Sequence, residues 1–163
     1  MNFTDSALSE RPVSPDDGDF PFRVYGASRA EEMAAWGWPP AQQESFLRMQ
    51  FRARAQSYAA AYPDAAYSVL LYDGAAAGTA VVWRGGSEFR LVDIALLPEF
   101  RNRGLGTFWI SRLIREAEAA TVPLRLHVFH GNRAAELYRR LGFVAKSNGG
   151  MYVEMERDYV RPE

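Results

Sequence analysis

The chain has 163 residues, of which 48% are hydrophobic, 13% aromatic and 24% charged. That composition supports one packed domain and excludes an intrinsically disordered chain, while a formal net charge of −1 leaves no overall basic field for nucleic acid or an anionic membrane surface. Cysteine is absent, which removes disulfides, thiolate metal sites and cysteine nucleophiles together.

Residues 1–19 mix Ser, Pro and Asp with scattered apolar residues and show no period, which predicts a flexible N-terminal tail ahead of a single domain over 20–163. This stretch has no basic n-region followed by an apolar segment, and no apolar run approaches the roughly 18 residues that span a bilayer, so a cytoplasmic protein is expected. Phe20, Phe22 and Val24 alternate, predicting a first strand over Phe20–Tyr25. Ser28 is the expected cap of a short helix through Ala35, ended by the Trp36–Pro40 stretch. A second helix is predicted from about Ala41 to Ala61, with Pro63 as its stop.

The period then shortens to that of strands. Tyr67–Tyr72, a turn at Asp73-Gly74, and Gly78–Arg84 read as a hairpin. After Gly85-Gly86, the apolar run within Glu88–Leu97 predicts a strand buried on both faces. Leu105, Phe108, Trp109, Leu113 and Ala117 make one stripe of a helix over Gly104–Ala120. A strand over Leu124–His130, a helix over Asn132–Leu141 and a strand over Phe143–Lys146 follow. A turn at Asn148-Gly149-Gly150 and a last strand over Met151–Glu156 end the series. This order predicts an α/β (α+β) fold, with a mixed, mostly antiparallel sheet and helices on both faces.

The chemistry concentrates in Leu96-Leu97-Pro98-Glu99-Phe100-Arg101-Asn102-Arg103-Gly104-Leu105-Gly106-Thr107. A buried strand ends at a proline, a basic glycine-containing loop follows, and a helix begins at once. Free N–H groups of a first helical turn converge on one spot with the helix dipole behind them, which makes an anion site. Gly104 and Gly106 remove the Cβ that would keep a phosphate from the backbone, and Arg101 and Arg103 add charge. The pattern is neither a Walker loop nor the dinucleotide G-x-G-x-x-G. On spacing alone, a turn and a phosphate cradle remain equally open.

With these residues the chain resembles the GNAT acyltransferases. Their pyrophosphate loop, [QR]-x-x-G-x-[GA], is matched by Arg101, Gly104 and Gly106. Their second motif is matched downstream by Ala134, Leu137, Tyr138, Gly142 and Phe143 in AAELYRRLGF. The resemblance implies a GNAT fold and transfer of an acetyl group from acetyl-CoA, its co-substrate, to a primary amine. It implies that backbone groups of Ala95, Leu96 and Leu97 meet the pantetheine. Amides of Arg101, Asn102, Arg103, Gly104, Leu105, Gly106 and Thr107 hold the pyrophosphate, Asn132 touches the pantetheine arm or caps the last helix, and Tyr138 protonates the leaving thiolate. Asn132 lies six residues before Tyr138, where many members have seven, and Gly131 takes the seventh place.

His127, facing opposite to Leu126 and Val128, is a candidate base for the amine or a satisfied histidine. Asp93, inside an apolar strand, must be ion-paired, protonated or in the groove, and it is a second candidate base, with a water as the third. A phenol with a pKa of about 10 is protonated at neutral pH and roughly matched to a thiolate. Trp36, Trp38, Phe46, Phe51, Tyr58 and Tyr62 read as packing, and the charged residues of their helix as a solvated face. No metal is expected. The partners expected are acyl-CoA and an amine acceptor, without nucleic acid or membrane, and a homodimer stays open. The alternative is a non-catalytic acyl-CoA-binding regulatory module.

Overall fold

A computed structural model describes residues 5–147 and 150–159. Asn148 and Gly149, in the turn expected before the last strand, lie outside the described residues. Seven strands form one sheet: β1 (Leu8–Pro12), β2 (Ala66–Tyr72), β3 (Ala75–Arg84), β4 (Phe89–Leu96), β5 (Leu124–Phe129), β6 (Val144–Ser147) and β7 (Tyr152–Arg157). Their order is β1-β2-β3-β4-β5-β7-β6, and β4–β5 is the one parallel pairing among them. Helices α1 (Phe20–Trp36) and α2 (Pro40–Ala61) cover one face; α3 (Leu105–Ala119) and α4 (Ala134–Arg140) cover the other. The mixed, mostly antiparallel sheet with helices on both faces is the architecture expected.

Two N-terminal expectations are corrected. The stretch read as a flexible tail contains β1, which pairs antiparallel with β2 from Leu8↔Tyr72 to Pro12↔Ser68. Leu8 enters the main core, and Arg112 of α3 donates from Nη1 to its carbonyl at 2.6 Å. The other four residues of β1 are exposed, so an edge strand with one inward residue left no alternation to read. Pro12 fits there because an edge strand can spare one N–H.

The second correction is Phe20–Tyr25, which is helix. Pro21 lies in the first turn, where a missing N–H costs nothing. The buried residues Phe20 and Val24 are then four apart on one helical face. Ser28 caps nothing; its hydroxyl donates to the Tyr25 carbonyl at 2.6 Å inside α1.

The main core lies between the sheet and α3–α4, around Leu105, Trp109, Ile110, Leu124, Leu126 and Met155. The α1 face has a smaller core of Phe20, Val24 and Val69, against which Ala95 and Leu97 pack. No residue of α2 is buried. The Asp73-Gly74 hairpin has the expected turn, with φ of 50° and 82° at its two residues.

One irregularity shapes the centre of the sheet. The β3–β4 register runs Val81↔Asp93 and then Val82↔Leu91, so Val92 is an extra residue, a bulge. Beside it, β4 pairs with β5 only from Phe89↔Leu124 to Leu91↔Leu126. Beyond Leu91, β4 stays with β3 as far as Leu96, while β5 stays with β7 as far as Phe129. The two parallel strands diverge, and the sheet opens between them. Gly78 sits across from the diverging half: a Cβ there would meet the Ala95 carbonyl oxygen at 2.2 Å. Only glycine permits this approach of β3 to β4.

Candidate functional site

A cleft of about 680 Å³ fills the opening on the α3–α4 side. Its size is that of a small-molecule site. Ala95, Leu96, Arg101, Asn102, Gly104, Leu105, Gly106 and Thr107 line one part of it, and Asn132 and Tyr138 line the other. Sequence reasoning named all ten.

The loop end has a geometry that can receive an anion. Pro98–Phe100 forms one 3₁₀ turn after β4, and Asn102 and Gly104 carry φ of 62° and 91°, turning the chain into α3. No side chain caps α3, and the Phe108 N–H bonding to Gly104 O is the first bond of its ladder. The N–H groups of Leu105, Gly106 and Thr107 are the orphan donors of the first turn, with the positive end of the helix dipole behind them. A Cβ on Gly106 would find only Leu96 Cδ1 at 3.8 Å, so that glycine answers to no crowding within the protein. Arg101, Arg133 and Arg140 border the cleft, and among the described residues no carboxylate does. A chain of net charge −1 has concentrated positive charge here.

Some expected residues stand elsewhere. The Leu96 carbonyl accepts from Arg101 Nε at 2.8 Å, so Arg101 also braces the end of β4. Leu97 is turned to the α1 face and donates its N–H to Ala77 O at 2.8 Å; it does not line the cleft, and neither does the exposed Arg103. Asn132 Oδ1 accepts the Ala134 N–H at 2.9 Å, and its carbonyl accepts from Ala135 at 3.1 Å, tying down the entry to α4. Of the two roles open to it, the helix-starting one is occupied.

Tyr138 is buried, and its ring packs edge-on against Phe143 at 5.7 Å. Among the described residues its hydroxyl has no hydrogen-bond partner, and the residue lines the cleft. Burial, with the nearby charge of Asp93 added, pushes the phenol up to about 12. The phenol is thus fully protonated at neutral pH but a weaker acid than the ordinary tyrosine expected from sequence.

Asp93 and His127 lie on the opposite face of the sheet. Asp93 pairs with Arg54 of α2 at 2.9 Å, as an apolar strand demands of a carboxylate. Arg54 also donates to the Tyr58 hydroxyl at 3.3 Å, and burial, then Asp93, pushes that phenol up. His127 is 46% exposed and caught at both nitrogens, with Nδ1 at 3.3 Å from Arg90 and Nε2 at 3.6 Å from Glu154. These are the contacts of a satisfied histidine.

Sequence reasoning missed Arg54, Arg133 and Arg140, and read Tyr58 as packing. Arg133 and Arg140, seven apart at the start and end of α4, carried a signal: they fall on one helical face with Leu137.

A family model described as the acetyltransferase (GNAT) family matches residues 28–143. That span is well over half of the chain and contains both motifs. The chain belongs to the GNAT acetyltransferase family. Solved structures agree in fold. A PaiA N-acetyltransferase from Thermoplasma acidophilum, in complex with coenzyme A, superposes with a TM-score of 0.69 at 18% identity, over 93% of this chain and 99% of that one. An acetyltransferase from Thermus thermophilus gives 0.68 at 20% identity, over 97% and 99%. A GNAT family acetyltransferase from Elizabethkingia anophelis, with acetyl-CoA bound, gives 0.62 at 12% identity, over 93% and 98%. Compared by sequence with curated proteins, the chain finds no match. Within this GNAT domain no helix among the described residues is long and apolar enough to cross a membrane. No group of three or more His, Asp or Glu is placed to hold a metal ion, again among the described residues.

Proposed function

We propose that this GNAT protein is an N-acetyltransferase that moves an acetyl group from acetyl-CoA to a primary amine. One observation carries the reading. A single break in the sheet has an uncapped helix N-terminus at one end and an unpartnered, protonated tyrosine hydroxyl within it. The anion end suits a pyrophosphate, and the Arg101, Arg133 and Arg140 side chains suit the remaining negative charge of CoA. Relatives of the same fold carry coenzyme A or acetyl-CoA.

Acetyl-CoA supplies the activated thioester; the chain's residues supply position and charge. In the transfer the amine nitrogen bonds to the carbonyl carbon and the C–S bond breaks. The nitrogen loses a proton and the sulfur gains one. Held in one cleft, the reactants no longer have to find each other by diffusion. Tyr138 presents its hydroxyl to the sulfur as charge develops there. Raised to about 12, it serves best as a hydrogen-bond donor in the transition state, because each pKa unit of mismatch costs about 1.4 kcal/mol in complete proton transfer. Asp93, paired with Arg54, draws the acceptor's ammonium toward β4 from the α1–α2 face, where the proton leaves to solvent. His127, with a polar neighbour at each ring nitrogen, orders the β5–β7 wall through Arg90 and Glu154.

The test is free-thiol release from acetyl-CoA with a panel of primary amines, checked by mass spectrometry of the acetylated product. Amine-dependent release with one acetylated amine per thiol is expected. Tight acetyl-CoA binding without transfer to any amine would instead establish the non-catalytic module.

A further inference from the structure

A second cavity, of about 500 Å³, lies beneath α2 on the face of the sheet opposite the cleft, and the two share no lining residue. Its lining comes from α1, α2, β2, β3 and the segment between β1 and α1, with no residue of β4 or β5. It is therefore separate from the break in the sheet. Its volume falls within the roughly 300–1,000 Å³ of small-molecule sites.

A polar group stands at its floor. Thr79 pairs across the β2–β3 ladder with Val69, which belongs to the small core of the α1 face, so the Thr79 side chain points toward α2. It is 8% exposed, and among the described residues no hydrogen bond reaches its hydroxyl. Among those residues no fully enclosed side-chain oxygen or nitrogen lacks a partner, so this hydroxyl opens onto the cavity. A buried hydroxyl without a partner is costly, and a ligand that hydrogen-bonds to it relieves the cost.

The walls and the rim define the rest of the ligand. Phe22 and Phe51, edge-on to each other at 5.7 Å, and Tyr67 make the walls aromatic, which suits a ring. Three arginines and one aspartate line the cavity. Arg48 is paired with Asp19 at 3.1 Å, and Arg54 with Asp93 at 2.9 Å. Arg52, exposed on α2, has no ion pair or hydrogen bond among the described residues. One positive charge at the rim is thus left for an anion, and a guanidinium matches a carboxylate well.

We infer that this cavity binds a small aromatic carboxylate carrying a hydrogen-bonding group on the far side of its ring. The ring lies between α2 and the sheet, the polar group meets Thr79, and the carboxylate meets Arg52. This ligand is neither the acyl donor nor the acceptor, so its binding is measurable without turnover.

The probes are 3-(4-hydroxyphenyl)propanoate, 3-phenylpropanoate, which lacks the hydroxyl, and 3-(4-hydroxyphenyl)propanamide, which lacks the charge. Each is titrated calorimetrically into wild-type protein, Thr79→Val and Arg52→Ala. In wild type the hydroxyl should improve Kd about fivefold and the charge about tenfold, as a neutral and a charged hydrogen bond do. Thr79→Val should erase the first difference and keep the second; Arg52→Ala should do the reverse. Saturating acetyl-CoA, bound in the other cleft, should shift no Kd by more than about twofold. Thr79→Val keeps the shape of the side chain and removes an unpartnered hydroxyl, so the ligand-free variant should melt no lower than wild type. Binding of all three probes weaker than about 1 mM, a difference that survives its substitution, or competition with acetyl-CoA would overturn the inference. So would a lower Tm in Thr79→Val, because the hydroxyl would then already have its partner in the fold.

Discussion

Replacing Gly106 by valine separates a glycine kept for a ligand from a glycine kept for the fold. The residue is second in α3 and has no positive φ, and its absent Cβ would touch only Leu96 Cδ1 at 3.8 Å. In a helix valine is better than glycine by about a few tenths of a kcal/mol, so Tm should move by no more than about 2 °C. The phosphate should respond differently. A branched side chain keeps it from the amides of the first turn, and each hydrogen bond to a charged group is worth about 1.5–3 kcal/mol. Losing two forfeits about 3–6 kcal/mol, a fall of roughly 10²–10⁴-fold in CoA affinity. Calorimetric titration with CoA, run beside thermal unfolding of both proteins, reads the two numbers. A folded variant that binds CoA as tightly as wild type would refute the cradle. A variant that loses its fold would refute the packing argument.

Tyr138→Phe keeps the packing on Phe143 and removes the unpartnered hydroxyl. kcat should therefore fall by about 10² or more while the acetyl-CoA Kd stays within threefold; unchanged kcat would end the role. Because that phenol is raised to about 12, it stays protonated across the working range, and its ionisation erodes stability only as pH rises from about 10 through about 12. An alkaline limb of kcat below pH 10 that vanishes in Tyr138→Phe would contradict this. Leu8→Ala should cost about 2–4 kcal/mol, a drop of roughly 4–16 °C in Tm, because β1 contributes a buried residue to the main core; a surface-like effect would restore the flexible tail. Gly78→Ala should destabilise by about 2 kcal/mol or more, since its Cβ meets a backbone oxygen; a wild-type Tm would show that β3 and β4 separate freely. Arg11 and the Ser14 N–H hold Asp17 down to about 2 from 3.8. Its hold on the N-terminal segment should be complete above about pH 4 and lost as pH falls toward 2, read as hydrogen exchange at Val13 and Ser14; pH-independent protection would sink it.

How far the sequence spoke depended on how each element buries its residues. Elements with two-sided or striped burial were legible: β4, α3 and the two motifs stand where their patterns put them. The cleft was legible because it is continuous in sequence on each side, at Leu96–Thr107 and Asn132–Tyr138. β1 was silent because one of its five residues faces inward, and α1 misled because Phe20, Phe22 and Val24 fit a period of two as well as a helical face. The α2 side was silent for another reason. Arg54 and Tyr58 become a site only when α2 lies on Asp93, and a helix with no buried residue resembles a solvated one. His127 was correctly placed opposite Leu126 and Val128, yet its arginine and glutamate partners come from β4 and β7, at separations no local pattern encodes.

The most direct measurement is a crystal structure of the protein with acetyl-CoA. Density for the pyrophosphate should lie against the amides of Leu105, Gly106 and Thr107, with the thioester sulfur within hydrogen-bond reach of the Tyr138 hydroxyl, between the diverging ends of β4 and β5. Acetyl-CoA bound elsewhere, or bound in the cleft with its sulfur away from Tyr138, would contradict the proposed chemistry.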